Sequence, residues 1–180
     1  KQEAKRLVVL IEDIIRLSQL DEETEMETTN TDLFEVANEV KSNLEKTAAE
    51  KSISLELSGN KVEVVGVKRL LYEIIYNLCD NAVKYTNNGG KVAISISETD
   101  ENAVISVKDN GIGIAPEHQN RIFERFYRVD KSHSKASGGT GLGLSIVKHA
   151  VQYHNGTIKL ESSLGNGTEI KVIIPKKNLI

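Results

Sequence analysis

From Lys1 to Leu20 apolar side chains return every three or four positions. Leu7, Leu10, Ile11, Ile14, Leu17 and Leu20 are separated by Lys5, Arg6, Glu12, Asp13 and Arg16, the pattern of an amphipathic helix. No capping residue precedes Lys1, so the helix is expected to continue upstream, and its apolar seam needs a partner in the body or in another chain. The acidic "DEETEMETTN" reads as a linker or short strand. Asp32 followed by Glu35 has capping-box spacing and predicts a helix through about Lys51. "ISLEL" and "KVEVV" read as short strands around the turn "SGN". A strong helix is predicted from Val67 to about Thr86, ended by "NNGG". "KVAISIS" and "AVISVKD" alternate like a half-buried sheet. "PEHQNRIFERF" starts a short helix with proline in its first turn, and "GLSIVKHAVQYH" forms another, closed by Asn155-Gly156. "TIKLES" and "TEIKVII" pair as a hairpin through "LGNG". Strands in close pairs with helices collected between them predict an α+β fold, a two-layer sandwich with a mixed, mostly antiparallel sheet covered on one face by helices.

Composition narrows the classes. With 180 residues, 39% apolar and 27% charged, the chain suits one ordinary soluble domain with an attached element. No apolar run approaches the roughly 18 residues of a membrane span, and the opening is too charged for a signal peptide. A single cysteine, Cys79, excludes an internal disulfide. Tryptophan is absent and aromatics make up 4%, which argues against nucleic-acid recognition by base stacking. Charge is uneven: residues 1–50 hold 13 acids against 6 Lys/Arg, residues 51–180 hold 13 against 17, suggesting an acidic opening and a mildly basic body.

Chemistry concentrates in four stretches, one of which, "RIFERFYRVD", mixes Phe123, Phe126 and Tyr127 with Arg121, Arg125 and Arg128 and reads by itself as an amphipathic helix with a solvated basic face. On a wheel of about 100° per residue with Asn77 at zero, Asn81 falls near 40°, Lys84 near −20° and Tyr85 near 80°, while Leu71, Ile74, Leu78 and Ala82 span about 60° to 140°. An amide–amide–ammonium stripe therefore edges the buried face. Amide oxygens can ligate Mg²⁺ and a lysine can hold phosphate, but solvated boundary amides are an equal reading of the spacing alone. In "DNGIGI", Asp109 ends a strand, Gly111 and Gly113 allow a flat ligand close to the backbone, and Ile112 and Ile114 supply apolar walls. In "GGTGLGLS", four glycines precede a helix whose free N–H groups suit an anion. The sequence contains no P-loop, and Gly141-x-Gly143 lacks the third glycine of a dinucleotide fingerprint.

In their order and spacing these stretches resemble the catalytic ATP-binding domain of two-component sensor histidine kinases, in the class shared with gyrase, Hsp90 and MutL. "NLCDNAVKYT" is similar to the family's N box, "DNGIGI" to its first glycine box, "RIFERFYRVD" to its F box and "GGTGLGLS" to its second glycine box. The resemblance spans about residues 31–176, and "TGLGLSIVKHAVQYHNGTI" looks most like kinases of the phosphate-starvation type. "RLVVLIEDIIRLSQLD" resembles the end of the second dimerisation helix, which divides the chain into 1–24, dimerisation helix and linker, and 25–180, catalytic domain.

The resemblance implies ATP and Mg²⁺ as ligands. Asp109 would bind the adenine amino group, with Gly111, Gly113, Ile114 and Tyr85 around the base. Asn81 would ligate Mg²⁺ with Asn77 on the same stripe. Lys84 and Arg128 would contact phosphates, and Thr140, Gly141, Leu142 and Gly143 would surround the phosphate tail beneath a lid from about 130 to 139. In gyrase-like relatives a water-activating glutamate stands at the place of Asn77; an amide cannot accept a proton, so transfer rather than hydrolysis is expected. The acceptor histidine, followed by an acid in the family, matches none of His118, His133, His149 and His154, so it is expected outside this chain and no residue here is expected to be the nucleophile. Implied partners are the dimerisation domain of the same kinase and a response regulator, within a homodimeric, membrane-anchored protein whose cytoplasmic portion this is. The rival readings are a serine kinase of the anti-sigma type and a non-catalytic ATP-binding module.

Overall fold

A computed structural model describes Ile11, residues 26–129 and residues 140–177. The remainder of the predicted N-terminal helix, and with it the division at residue 24, lies outside the described residues, as do the lid segment and His133.

Strand β1 (Thr29–Asp32) leads into helix α1 (Leu33–Glu50). Asp32 is extended and its carboxylate accepts a hydrogen bond from the Phe34 N–H at 2.9 Å, capping the helix start. Strands β2 (Ser54–Gly59) and β3 (Glu63–Gly66) follow, then helix α2 (Lys68–Tyr85) and the antiparallel pair β4 (Lys91–Glu98) and β5 (Asn102–Asp109). A single helical turn, α3 (Pro116–Gln119), precedes helix α4 (Gly143–Tyr153) and the hairpin β6 (Thr157–Ser162) and β7 (Thr168–Pro175). Five strands form one sheet in the order β2-β4-β5-β7-β6; β1 and β3 form a separate ribbon.

Alternation sets the layers. Val92, Ile94 and Ile96 of β4, Ala103, Ile105 and Val107 of β5, and Ile170, Val172 and Ile174 of β7 are all buried. Register aligns them, with Ile94 opposite Val107 and Ile105 opposite Val172, so one sheet face is continuously apolar. Helices α1, α2 and α4 bury Val40 and Leu44, Ile74 and Leu78, and Ile146 and Ala150 in the same core. The expected two-layer α+β sandwich is the observed fold.

Two local expectations change. The strands around "SGN" do not pair with each other: β2 runs parallel to β4, with Leu57 opposite Ile94, while β3 is antiparallel to β1, with Val65 opposite Asn30. Parallel neighbours require a crossover, and α2 provides it between β2 and β4. In "PEHQNRIFERF" the helix ends at Gln119 and the chain continues in turns, with Arg121 N–H donating to His118 O at 2.9 Å and Glu124 N–H to Arg121 O at 2.8 Å. Phe126, at φ +64°, cannot continue a right-handed helix.

Two side chains tie α2 at its ends. Lys51 Nζ donates to the carbonyls of Val83, Lys84 and Thr86 at 2.7, 2.9 and 2.6 Å, placing a cation where a helix exposes unsatisfied oxygens. At the opposite end, His154 is fully buried; its Nε2 accepts the Val67 N–H at 3.1 Å, which makes Nδ1 the protonated nitrogen that donates to Ala150 O at 2.7 Å. One neutral imidazole thus joins the end of α4 to the start of α2.

Lys51→Met is expected to lower stability by about 2–3 kcal/mol, since charged hydrogen bonds to the helix end are lost; a shift in urea midpoint with unchanged slope checks it. Burial lowers the His154 pKa, against the raising effect of its bond to Ala150. Below the ordinary histidine range the unfolded chain then binds more protons than the folded one. Stability is therefore expected to fall as pH drops through about 6.5, by up to about 1.4 kcal/mol per pH unit, until the folded-state pKa is passed. The slope should vanish in His154→Gln, followed by urea unfolding between pH 7.5 and 5.

Candidate functional site

The buried face of α2 fixes the site's position. Leu71, Ile74, Leu78 and Ala82 lie in the core, and Asn77, Asn81 and Lys84 are half-buried, at the edge the helical wheel predicts. Asn77 Nδ2 donates to Glu73 O at 2.8 Å and to Glu73 Oε2 at 3.1 Å. Lys84 Nζ is paired with Asp80 Oδ2 at 2.5 Å, one turn back. Its ammonium is held in place by that carboxylate.

Across from this stripe stands the start of α4. A Cβ built on Gly143 would lie 2.9 Å from Asn77 Oδ1 and 3.7 Å from Asn81 Nδ2. The second glycine segment and the amide stripe are therefore in contact. Helix α4 has no side-chain cap, so its first-turn N–H groups keep their capacity for an anion. Leu142 is fully buried and its N–H faces Thr140 Oγ1 at 3.4 Å. Gly141 takes φ +77° and its carbonyl accepts the Phe126 N–H at 3.0 Å, while a Cβ built on it would lie 3.2 Å from Arg128 Cγ. The F-box segment and the second glycine segment thus meet at two residues of left-handed backbone, an arrangement that concentrates at functional sites.

The hexapeptide meets the far end of α2. Ile112 N–H donates to Tyr85 O at 3.1 Å, and a Cβ on Gly111 would collide with the same carbonyl. Asp109, half-buried at the end of β5, accepts the Gly111 N–H at 2.8 Å and the Thr168 N–H. Burial raises its pKa, and these two donors partly offset that. Gly113, at φ +67°, passes so close to the Ser163 carbonyl that a side chain would overlap it. Ile114 N–H donates to Ser162 Oγ at 2.9 Å, which anchors the loop to β6. Tyr85 and Ile112 remain about half exposed, at 47% and 48%.

Along α2 the groups are spread over about 12 Å from Asn77 to Tyr85, carboxylate and apolar walls at one end, amides and an uncapped helix at the other. Among the described residues no cluster of three His, Cys, Asp or Glu could hold a metal by itself. A cavity of about 330 Å³ lined by Asn43, Tyr72, Glu73 and Tyr76 opens beside the stripe rather than on it. Glu73 and Asp80 were not singled out from sequence, although each stands four residues before its partner.

The family described as histidine kinase-, DNA gyrase B-, and HSP90-like ATPase matches residues 66–178. Sensor histidine kinase RppB of Synechocystis sp. is 38% identical over 181 residues, covering 97% of this chain and 39% of that protein. The chain thus spans about two fifths of that relative's length. Full-length ShkA, solved in complex with AMPPNP, superposes with TM-score 0.83 at 28% identity, over 94% of this chain and 35% of that one. Histidine kinase ThkA, solved in complex with response regulator protein TrrA, gives TM-score 0.77 at 25% identity, over 97% of this chain and 48% of that one.

Asp109→Asn separates stability from binding. Because burial disfavours the charged carboxylate in the folded state, its removal should leave the thermal midpoint at pH 7 unchanged or raised. With the adenine-binding role that the resemblance implies for Asp109, losing its charge should weaken nucleotide binding by about 10-fold or more. Calorimetric titration alongside a thermal melt tests both.

Proposed function

The chain belongs to the histidine kinase-, DNA gyrase B- and HSP90-like ATPase family, and from that premise we propose that it is the ATP-binding catalytic part of a two-component sensor histidine kinase. One observation carries the reading: the two glycine segments, far apart in sequence, both close on α2, at Asn77 through Gly143 and at Tyr85 through Gly111 and Ile112. In this reading Asp109 accepts the adenine amine, Gly113, Ile114, Ile112 and Tyr85 flank the base, and the start of α4 with Thr140, Gly141, Leu142 and Gly143 receives the phosphates.

Asn81 and Asn77 would offer amide oxygens to Mg²⁺, which would supply charge neutralisation for phosphoryl transfer. Lys84, shared with Asp80, and Arg128 beside Gly141 add positive charge. Asn77 has no basic atom to take a proton from water, so bound ATP is held for another nucleophile. That nucleophile is a histidine on the dimerisation domain, to which residues 1–24 belong, and a response regulator receives the phosphoryl group next. No histidine of this chain is followed by an acid; His154 is buried with both ring nitrogens engaged, and His118 Nδ1 shares a proton with Tyr127 Oη at 2.7 Å. The full protein acts as a homodimer at a membrane, although no helix among the described residues is long and apolar enough to cross one.

Incubated alone with γ-labelled ATP and Mg²⁺, the chain should take up no label. Supplied with a histidine-bearing dimerisation domain, it should label that histidine. Stoichiometric label on a histidine of this chain would overturn the assignment, and label on serine of a supplied protein would favour the anti-sigma type instead.

A further inference from the structure

We propose that Glu73 is a positioning residue that decides which end of the Asn77 amide faces the nucleotide, and thereby sets the Mg²⁺-linked part of nucleotide affinity. The proposal rests on the reading of Asn77 given above. An asparagine amide has two ends of opposite chemistry and nearly equal shape: only its oxygen can ligate a cation, while its NH₂ would confront the ion with positive hydrogens. Something must choose between them.

Glu73 makes that choice. Asn77 Nδ2 lies 2.8 Å from the Glu73 carbonyl and 3.1 Å from the Glu73 carboxylate oxygen. Both are oxygens that accept, so turning the amide over would set its own oxygen against two others and lose both bonds. The carbonyl is already occupied by α2's own ladder, so the carboxylate is the second acceptor that makes the orientation decisive. The consequence is visible on the other side, where Oδ1 is the Asn77 atom nearest the Gly143 position, at 2.9 Å from a Cβ built there.

The placement of the acid supports a role beyond solvation. Glu73 is only 9% exposed, and on the wheel it falls near −40°, beside the stripe instead of on the open face of α2. Acids are rarely buried without a partner, because removal from water penalises their charge. Here the acid stands one turn before the amide and grips its NH₂. A carboxylate behind a ligating group orients it and raises its electron density, and loss of such support typically costs about 10- to 100-fold in metal affinity.

The test is a calorimetric titration of the native chain, Glu73→Gln and Glu73→Ala with ATP, once with Mg²⁺ and once with EDTA. Glu73→Ala should lose about 10-fold or more of the affinity gained on adding Mg²⁺. Its affinity for metal-free ATP should stay within about twofold. Glu73→Gln, which keeps an accepting oxygen, should retain most of the gain. The proposal is overturned if Glu73→Ala keeps the full Mg²⁺ gain, if it loses affinity equally with and without the ion, or if glutamine does no better than alanine. Should Glu73→Ala fail to fold, Glu73→Leu fills the same space without an acceptor and carries the same comparison. A native chain that binds no ATP would defeat the reading of the site itself, and this proposal with it; a native chain whose affinity ignores Mg²⁺ would defeat the assignment of Asn77.

Discussion

The side of α2 that sinks Leu71, Ile74, Leu78 and Ala82 into the core cannot turn outward without exposing several large apolar groups, at roughly 1.5–3 kcal/mol for each of the larger ones. That constraint holds the angular position of every polar residue on the helix. Asn77 and Asn81 sit at the boundary because their apolar neighbours are committed, and the rigid helix keeps them a fixed distance from Tyr85. Lys51 and His154 reinforce the arrangement from either end, one through three carbonyls and the other through a single backbone N–H. The loops that approach α2 are glycine-rich and conformationally permissive, and they are positioned by what they touch. Rigid floor and adaptable walls are thus assigned to different parts of the chain.

The electrostatics of the groove are restrained. Its two ionic groups nearest the amides are internally engaged, Lys84 with Asp80 and Glu73 with Asn77. A phosphate beside Lys84 would compete with the Asp80 carboxylate for its ammonium. Where a hydrolase needs a basic oxygen poised against water, this stripe offers a neutral amide whose accepting acid is turned behind it. The same four-residue helical step that would supply a base instead supplies support.

Much of this was legible in the sequence because the signals are local. The α2 stripe could be read from a wheel, the strand ending in Asp109 from alternation, and the start of α4 from glycines ahead of an apolar helix. The pairing of β2 was not legible: strands flanking a short turn suggest a hairpin, and nothing in "ISLEL" shows that its neighbour is β4, across a helix. The same holds for Lys51, which the sequence marks only as the approximate end of a predicted helix, while its partners lie more than 30 residues away. In the sequence His154 is only a histidine that fails the acceptor pattern; the fold alone shows that its ring reaches Val67. Glu73 and Asp80 carried a visible signal, spacing by four, but that pattern is common on helices and acquires meaning only beside a site.

Among the described residues the sheet also ends in two rims, β2 on one side and β6 on the other. An unpaired strand offers its peptide groups to any similar strand nearby. Glu56, paired with Lys91 at 2.8 Å, is exposed along the first rim, and Lys159 and Glu161 along the second. Charges set so densely on short strands discourage stacking of one molecule's sheet onto another's. Self-association edge to edge would have to desolvate these charges.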